Sequence, residues 1–161
     1  MDGCARYAGG TEITRLFGHP HHVDQVAAWN HAEFWTDQNI HTHESLAALL
    51  RQAATPDASP LSRIALVDGA PVGTVKLVEN DDEKRIRLRP WLAALVVDPE
   101  HRHRGIGSAL VRDLQQFAAN LGIDTLCLGT DNPGFYARLG AQVHEHVNDD
   151  FAIMQLQTQR L

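Results

Sequence analysis

The chain is short of several features that would announce a function, and each shortage excludes something. It has two cysteines, Cys4 near the start and Cys127 inside an apolar run. Neither a disulfide framework nor a paired-cysteine metal motif can be built from them, and a reducing, cytoplasmic setting is expected. Basic residues are in deficit, 14 Lys+Arg against 20 Asp+Glu for a formal charge of -6. That field repels phosphate backbones and anionic lipid, so no nucleic-acid or membrane partner is expected. No apolar run approaches the roughly 18 residues of a spanning helix, and the first residues lack a charged region followed by an apolar one. Internal repeats and low-complexity tracts are also missing. What remains is ordinary: 161 residues, 43% hydrophobic and 21% charged, the length and composition of one soluble domain. The expectation is a single domain over residues 1–161, with 1–10 as a loose arm.

Hydrophobic periodicity supplies the elements. Thr11 to Phe17 reads as the first strand. His22 to Trp35, after Pro20, carries a helical stripe of Val23, Val26, Ala27 and Phe34. A second helix is expected from an N-cap at Thr42 through Leu46, Leu49 and Leu50, ending before Thr55-Pro56. The period then falls to two. Arg63–Val67 and Val72–Val78 flank the turn signal Asp68-Gly69-Ala70-Pro71 and read as a hairpin. The charged loop from Glu79 to Arg89 leads to Trp91–Val97, a continuous apolar run of strand length, as in a strand buried on both faces. Ile106, Leu110, Leu114, Phe117, Ala118 and Leu121 form the strongest helical stripe, stopped by Gly122. A strand at Thr125–Leu128, a short helix at Phe135–Leu139 and strands at Gln142–Val147 and Phe151–Leu156 follow. The order implies an α/β or α+β fold with a largely antiparallel sheet and one right-handed strand-helix-strand crossover.

The chemistry is concentrated where the buried strand meets the best helix, at Asp98-Pro99-Glu100-His101-Arg102-His103-Arg104-Gly105-Ile106-Gly107-Ser108. A strand-turn-helix aims unsatisfied backbone N–H groups and the positive end of a helix dipole at one spot, which suits a phosphate. Gly105 and Gly107 clear side chains from the approach, and Arg102 and Arg104 can add charge-assisted contacts. A dinucleotide fingerprint would need Gly or Ala where Leu110 stands, and a P-loop would need Lys before Ser108. Taken alone, the turn could equally be a tight connection.

Arg102-His103-Arg104-Gly105-Ile106-Gly107 resembles the acetyl-CoA signature of the GNAT N-acetyltransferase superfamily, Arg/Gln-x-x-Gly-x-Gly/Ala. The resemblance runs from about Ile64 to Gln157 and includes Phe135-Tyr136-Ala137-Arg138-Leu139-Gly140. It is strongest toward the bacterial branch whose central strand begins Pro90-Trp91-Leu92. It implies the GNAT fold: a mixed, mostly antiparallel sheet of six to seven strands, about four flanking helices, and central strands splayed by a bulge. It also implies acetyl-CoA as co-substrate, with the pyrophosphate on the amides from Arg102 through His103, Arg104, Gly105, Ile106 and Gly107 to Ser108. The pantetheine arm would lie along Leu95, Val96 and Val97. The Val96 amide would stabilise the thioester oxyanion, and the Tyr136 phenol would protonate the departing thiolate. Where relatives carry Asn seven residues before this Tyr, the chain has Gly129, and Asn132 is the candidate to take over that contact.

The central strand holds no carboxylate, so a base would come from Glu33, Asp37, Glu79 or Asp81 through water. That favours a weakly basic acceptor such as an α-amino group. Glu33, Trp35, His41, Asp81 and Trp91 are the acceptor-side candidates, although each Trp could instead be core. Homodimers are common in the superfamily, and the last two strands could pair within the chain or swap between copies. Ten histidines include the pairs His19/His21, His41/His43, His101/His103 and His144/His146, a spacing that puts both rings on one strand face. No carboxylate or cysteine motif frames them, so no metal is expected. The function implied is transfer of an acetyl group to a primary amine of a small molecule or peptide N-terminus. The alternative is a non-catalytic acyl-CoA-binding or sensor module of the same fold.

Overall fold

The computed structural model describes residues 4–7, 10–16, 19–35, 44–45, 47–48 and 61–158. The described residues form eight strands: β1 (Ala5–Tyr7), β2 (Thr11–Arg15), β3 (Leu61–Val67), β4 (Ala70–Val78), β5 (Trp91–Val97), β6 (Thr125–Thr130), β7 (Gln142–Asn148) and β8 (Phe151–Gln157). They form one open sheet in the order β1-β2-β3-β4-β5-β6-β8-β7. Every neighbouring pair is antiparallel except β5 and β6. The sheet therefore exceeds the expected six to seven strands. One extra strand comes from the supposed loose arm, where Ala5–Tyr7 pairs with Thr11–Ile13. Three residues without apolar alternation carry no strand signal of their own; the pairing partner supplies it. β7 and β8 pair with each other within the chain, on a register of Val143 to Met154 and His146 to Ala152.

Three α-helices stand among the described residues: α1 (Val23–Asn30), α2 (Ile106–Asn120) and α3 (Pro133–Arg138). The expected His22–Trp35 helix is in fact three pieces, a 3-10 turn at Pro20–His22, α1, and a π-helical turn at His31–Trp35. Of the expected second helix only Glu44, Ser45, Ala47 and Ala48 are described, and they are helical; the rest lies outside the described residues. Strand alternation separates the two sheet faces. Ala65 joins Leu110, Leu114 and Ala118 of α2 in the larger core, whereas Ile64 and Leu66 pack with Val23, Val26 and Ala27 of α1. A third small cluster seals the lower end of the β5–β6 seam with Trp91, Cys127 and Ile153.

The hairpin signal at Asp68-Gly69 is realised as a two-residue turn, with φ of 52° and 81°, the left-handed geometry such turns require. Across the larger core, Arg63 on β3 donates to Asp113 on α2 through Nε at 2.6 Å and Nη2 at 3.1 Å. Tyr7 of β1 donates to the same carboxylate at 3.2 Å. The arm strand is thus tied to the helix that carries the site.

Candidate active site

β5 is distorted where the site lies. Lys76 of β4 pairs with Ala93 while Thr74 pairs with Val96, so Ala94 and Leu95 together face Val75. This is a β-bulge, and Ala94 takes φ 53° to make it, a conformation that costs a non-glycine residue about 1 kcal/mol or more. On its other side β5 meets β6 only at Trp91 and Cys127, with Cys127 N–H donating to Pro90 O at 2.9 Å. Beyond that point the two parallel strands diverge and leave a wedge that opens toward Val97 and Thr130.

Register decides which amides face the wedge. Asp98 N–H donates to Val72 O at 2.8 Å, so alternation turns the paired Val96 main chain toward β4 as well. Val97, between them, points its N–H and C=O the other way. By this register the Val96 amide, expected to meet the thioester, turns toward β4, and Val97 presents the amide on the wedge side.

At the mouth of the wedge the chain turns through His103 (φ 64°) and Gly105 (φ 81°) into α2. Gly105 is the N-cap, and its carbonyl accepts from Ala109 N–H at 3.0 Å. The amides of Ile106, Gly107 and Ser108 belong to the first turn and have no intrahelical acceptor. No acidic residue stands in that turn, so the dipole end of the helix is free to favour an anion. A Cβ added to Gly107 would lie 3.5 Å from Phe135 Cζ and 3.7 Å from Val97 Cγ2, between two cleft walls. Arg102 donates from Nε to Val97 O at 3.1 Å, which fixes its guanidinium at the rim.

The wedge and the turn bound one cleft of about 680 Å³, lined by Leu95, Val96, Val97, Arg102, His103, Gly105, Ile106, Gly107, Ser108, Asn132, Tyr136 and Glu33. Tyr136 on α3 is buried, its ring edge-on to Phe135 at 4.9 Å. Burial, and then Asp131, push its phenol up to about 12. The phenol therefore carries its proton throughout the neutral range. The residue content fits an acyl-CoA: an amide cradle for phosphate, an open strand edge for an extended amide-bearing arm, and a hydroxyl donor at the wall.

The comparisons with known proteins agree with this geometry. The model of the acetyltransferase (GNAT) family matches residues 12–141. The chain belongs to the GNAT acetyltransferase family. It is 42% identical over 74 residues to human N-acetyltransferase 8B, covering 43% of this chain and 33% of that protein, so it spans about a third of the curated relative it matches. Among solved structures it is similar in fold to Ard1 from Thermoplasma volcanium, with TM-score 0.68, 17% identity, and coverage of 94% of this chain and 99% of that one. An aminoglycoside 6'-N-acetyltransferase solved with coenzyme A superposes with TM-score 0.70 at 18% identity, covering 90% and 96%.

The GNAT chain departs from several sequence-based expectations. Arg104 is exposed and stands apart from the residues that line the cleft. Trp91 is core, 1% exposed, with its indole N–H donating to Leu88 O at 2.5 Å, so it is not an acceptor-side residue. Asp81 is exposed and outside the cleft. Trp35 sits in the π-helical turn, but its side chain, with His41 and Asp37, lies outside the described residues. Cys127 is 3% exposed and burial raises its thiol, as a core residue requires. Gly129 has a local reason: a Cβ there would stand 2.7 Å from Phe151 Cζ, so the Phe151 ring takes the space an Asn would need.

Sequence reasoning missed His101, Thr130, Asp131, Phe135, Arg138 and Leu139 as cleft-lining residues. Phe135, Arg138 and Leu139 were within reach, since they belong to the downstream motif around Tyr136. His101 needed the structure, which puts its Nδ1 3.5 Å from Asp98 Oδ2 in the 3-10 turn after β5. Lys76, one step past the bulge, is half-buried, and burial lowers its ammonium to about 8 in spite of Asp81.

Proposed function

We propose that this chain is an acetyl-CoA-dependent N-acetyltransferase that transfers the acetyl group directly to a primary amine of a small molecule or a peptide N-terminus. The observation that carries the reading is a single cleft holding the Gly105–Ser108 amide cradle, the open β5 edge beyond a bulge, and the protonated Tyr136 phenol. In this reading the cradle binds the pyrophosphate, with Arg102, His103 and Arg138 at its rim. Leu95 and Val97 pair through their main chains with the pantetheine arm, and an amide of this pair stabilises the oxyanion as the amine attacks the carbonyl.

Proton balance fixes the part of Tyr136. The attacking nitrogen must lose a proton and the leaving sulfur must gain one. A phenol near 12 is a weaker acid than a thiol near about 8.5, so complete donation by Tyr136 alone runs uphill. Tyr136 instead hydrogen-bonds the sulfur as charge develops, and hands over its proton as it recovers one from the nitrogen through water. Glu33, exposed on the cleft wall, supports the approach of a cationic acceptor. An α-amino group, neutral near pH about 7.7–8, needs less help than a lysine amine.

Release of CoA thiol from acetyl-CoA is to be measured against N-terminal peptides, lysine peptides, polyamines, aminoglycosides and amino acids. Turnover with one class is expected, falling roughly 100-fold or more in Tyr136→Phe while acetyl-CoA affinity is kept. Equal turnover in that variant removes Tyr136 from the mechanism. Acetyl-CoA binding without thiol release across the panel turns the reading to a non-catalytic acyl-CoA sensor.

A further inference from the structure

Outside the cleft, the corner between β2 and α1 gathers three imidazoles that the acyl-transfer reading does not use. His19 N–H donates to Leu16 O at 2.9 Å, and His22 N–H donates to His19 O at 3.0 Å, closing a 3-10 turn with Pro20 at its first position. In a 3-10 turn residues three apart eclipse one another. The His19 and His22 rings accordingly stack, 6.1 Å apart and 18° from parallel. His21 packs against His22 with ring centroids 3.9 Å apart. Ligand atoms of all three lie within 4.8 Å of one another. His22 is 9% exposed, so the cluster reaches from the surface at His21 into the packed corner. Three imidazoles converging on one point, one of them buried, hold three nitrogen donors where a single cation can bridge them.

We propose that His19, His21 and His22 form a binding site for a divalent transition metal of the zinc type, at the turn that joins β2 to α1. Zinc takes imidazole nitrogen at about 2.0–2.1 Å, which sets ligands roughly 3.3–3.4 Å apart in a tetrahedron. Closing from 4.8 Å asks for about 1.5 Å of ring movement, which side-chain rotation supplies without moving the backbone. Three neutral nitrogens leave a fourth position for water. The set is nitrogen-only, so it prefers zinc, copper or nickel over calcium or magnesium, which take oxygen. The cluster shares no residue with the cleft. Its effect is therefore to fix the corner from which α1 departs.

The sequence pattern hid the third ligand. The i, i+2 spacing of His19 and His21 suggested a strand pair, whereas the turn after Pro20 brings His22 against both.

The test uses the whole chain without a histidine tag, stripped with chelator and then titrated with Zn²⁺, and with Co²⁺ as a spectroscopic probe. One equivalent per chain is expected, with Co²⁺ giving the visible bands of a low-coordinate nitrogen site and Zn²⁺ raising the melting midpoint. His19→Gln and His21→Gln, which leave buried His22 in place, are expected to keep the native circular dichroism and weaken binding roughly tenfold or more. His144→Gln and His146→Gln, on exposed β7, are expected to leave it unchanged. Absence of saturable binding, or equal binding by the folded His19 and His21 variants, overturns the site.

Discussion

Gly107 shows how much can rest on one missing side chain. Its Cβ would meet only ordinary contacts at 3.5 and 3.7 Å, so Gly107→Ala is expected to fold normally and to bind acetyl-CoA with a modest loss. A branched or longer side chain has nowhere to go except the space between Val97 and Phe135, over the first-turn amides. Gly107→Val is therefore expected to keep its melting midpoint within about 1 kcal/mol of the native stability, allowing for a helix-propensity gain over glycine, and to lose acetyl-CoA binding. Tight binding of acetyl-CoA by folded Gly107→Val, measured by calorimetry, would remove the pyrophosphate from this turn. Gly105 differs, since its φ of 81° belongs to the left-handed region and any side chain there strains the entry to α2.

At the scale of elements, the Arg63–Asp113 pair clamps β3 to α2, with the guanidinium also 4.9 Å over the Phe117 ring. Both side chains are nearly sealed from solvent, at 2% and 5% exposure. Removing the carboxylate takes from a buried guanidinium its two-pronged ionic partner, so Asp113→Ala is expected to cost roughly 3 kcal/mol or more in urea unfolding. The apolar pair Arg63→Met with Asp113→Leu should recover most of that loss; if the double variant is as unstable as the single one, the charge account fails. None of this clamp was legible in the sequence, because Arg63 reads as the polar start of a strand and Asp113 as a gap in the α2 stripe. By contrast α2 itself, the Asp68-Gly69 hairpin and the apolar run of β5 were readable, since each rests on local period or turn chemistry. The cleft was readable in outline because its strand, turn and helix are contiguous in sequence and the motif around Tyr136 follows in order. The direction of the Val96 amide was not, because a bulge shifts register without leaving a mark in an apolar run, and only the pairing with Thr74 reveals it.

The whole molecule's response to alkali follows from which buried groups resist changing charge. Lys76 is held neutral by burial down to about 8 instead of its ordinary 10.5. Between those values the unfolded chain binds the proton and the folded chain does not, so folding stability rises with pH through that window. Cys127, whose thiol burial raises above its ordinary 9.0, acts in the opposite sense from about pH 9, and Tyr7 and Tyr136 do so above pH 10. Each tyrosine is raised from 10 to about 12, mainly by burial, so the folded chain keeps protons that the unfolded chain gives up, and stability falls. One lysine gains alone up to about pH 9, where the thiol and then two tyrosines begin to lose, which places the maximum between about pH 9 and 10. The charge background changes little on the way, because 12 of the 14 basic residues are arginine and only Lys76 and Lys84 are lysine. The urea midpoint is expected to climb from pH 8 to pH 9 by the equivalent of about 1 kcal/mol, to level off, and to drop above pH 10. Lys76→Met is expected to raise the midpoint at pH 7 and to flatten the climb, because the cost of burying the ammonium is gone at every pH. A native midpoint that stays level or falls between pH 8 and 9 would show that the Lys76 ammonium reaches water in the folded chain, and that β4 beside the bulge is more open than its packing indicates.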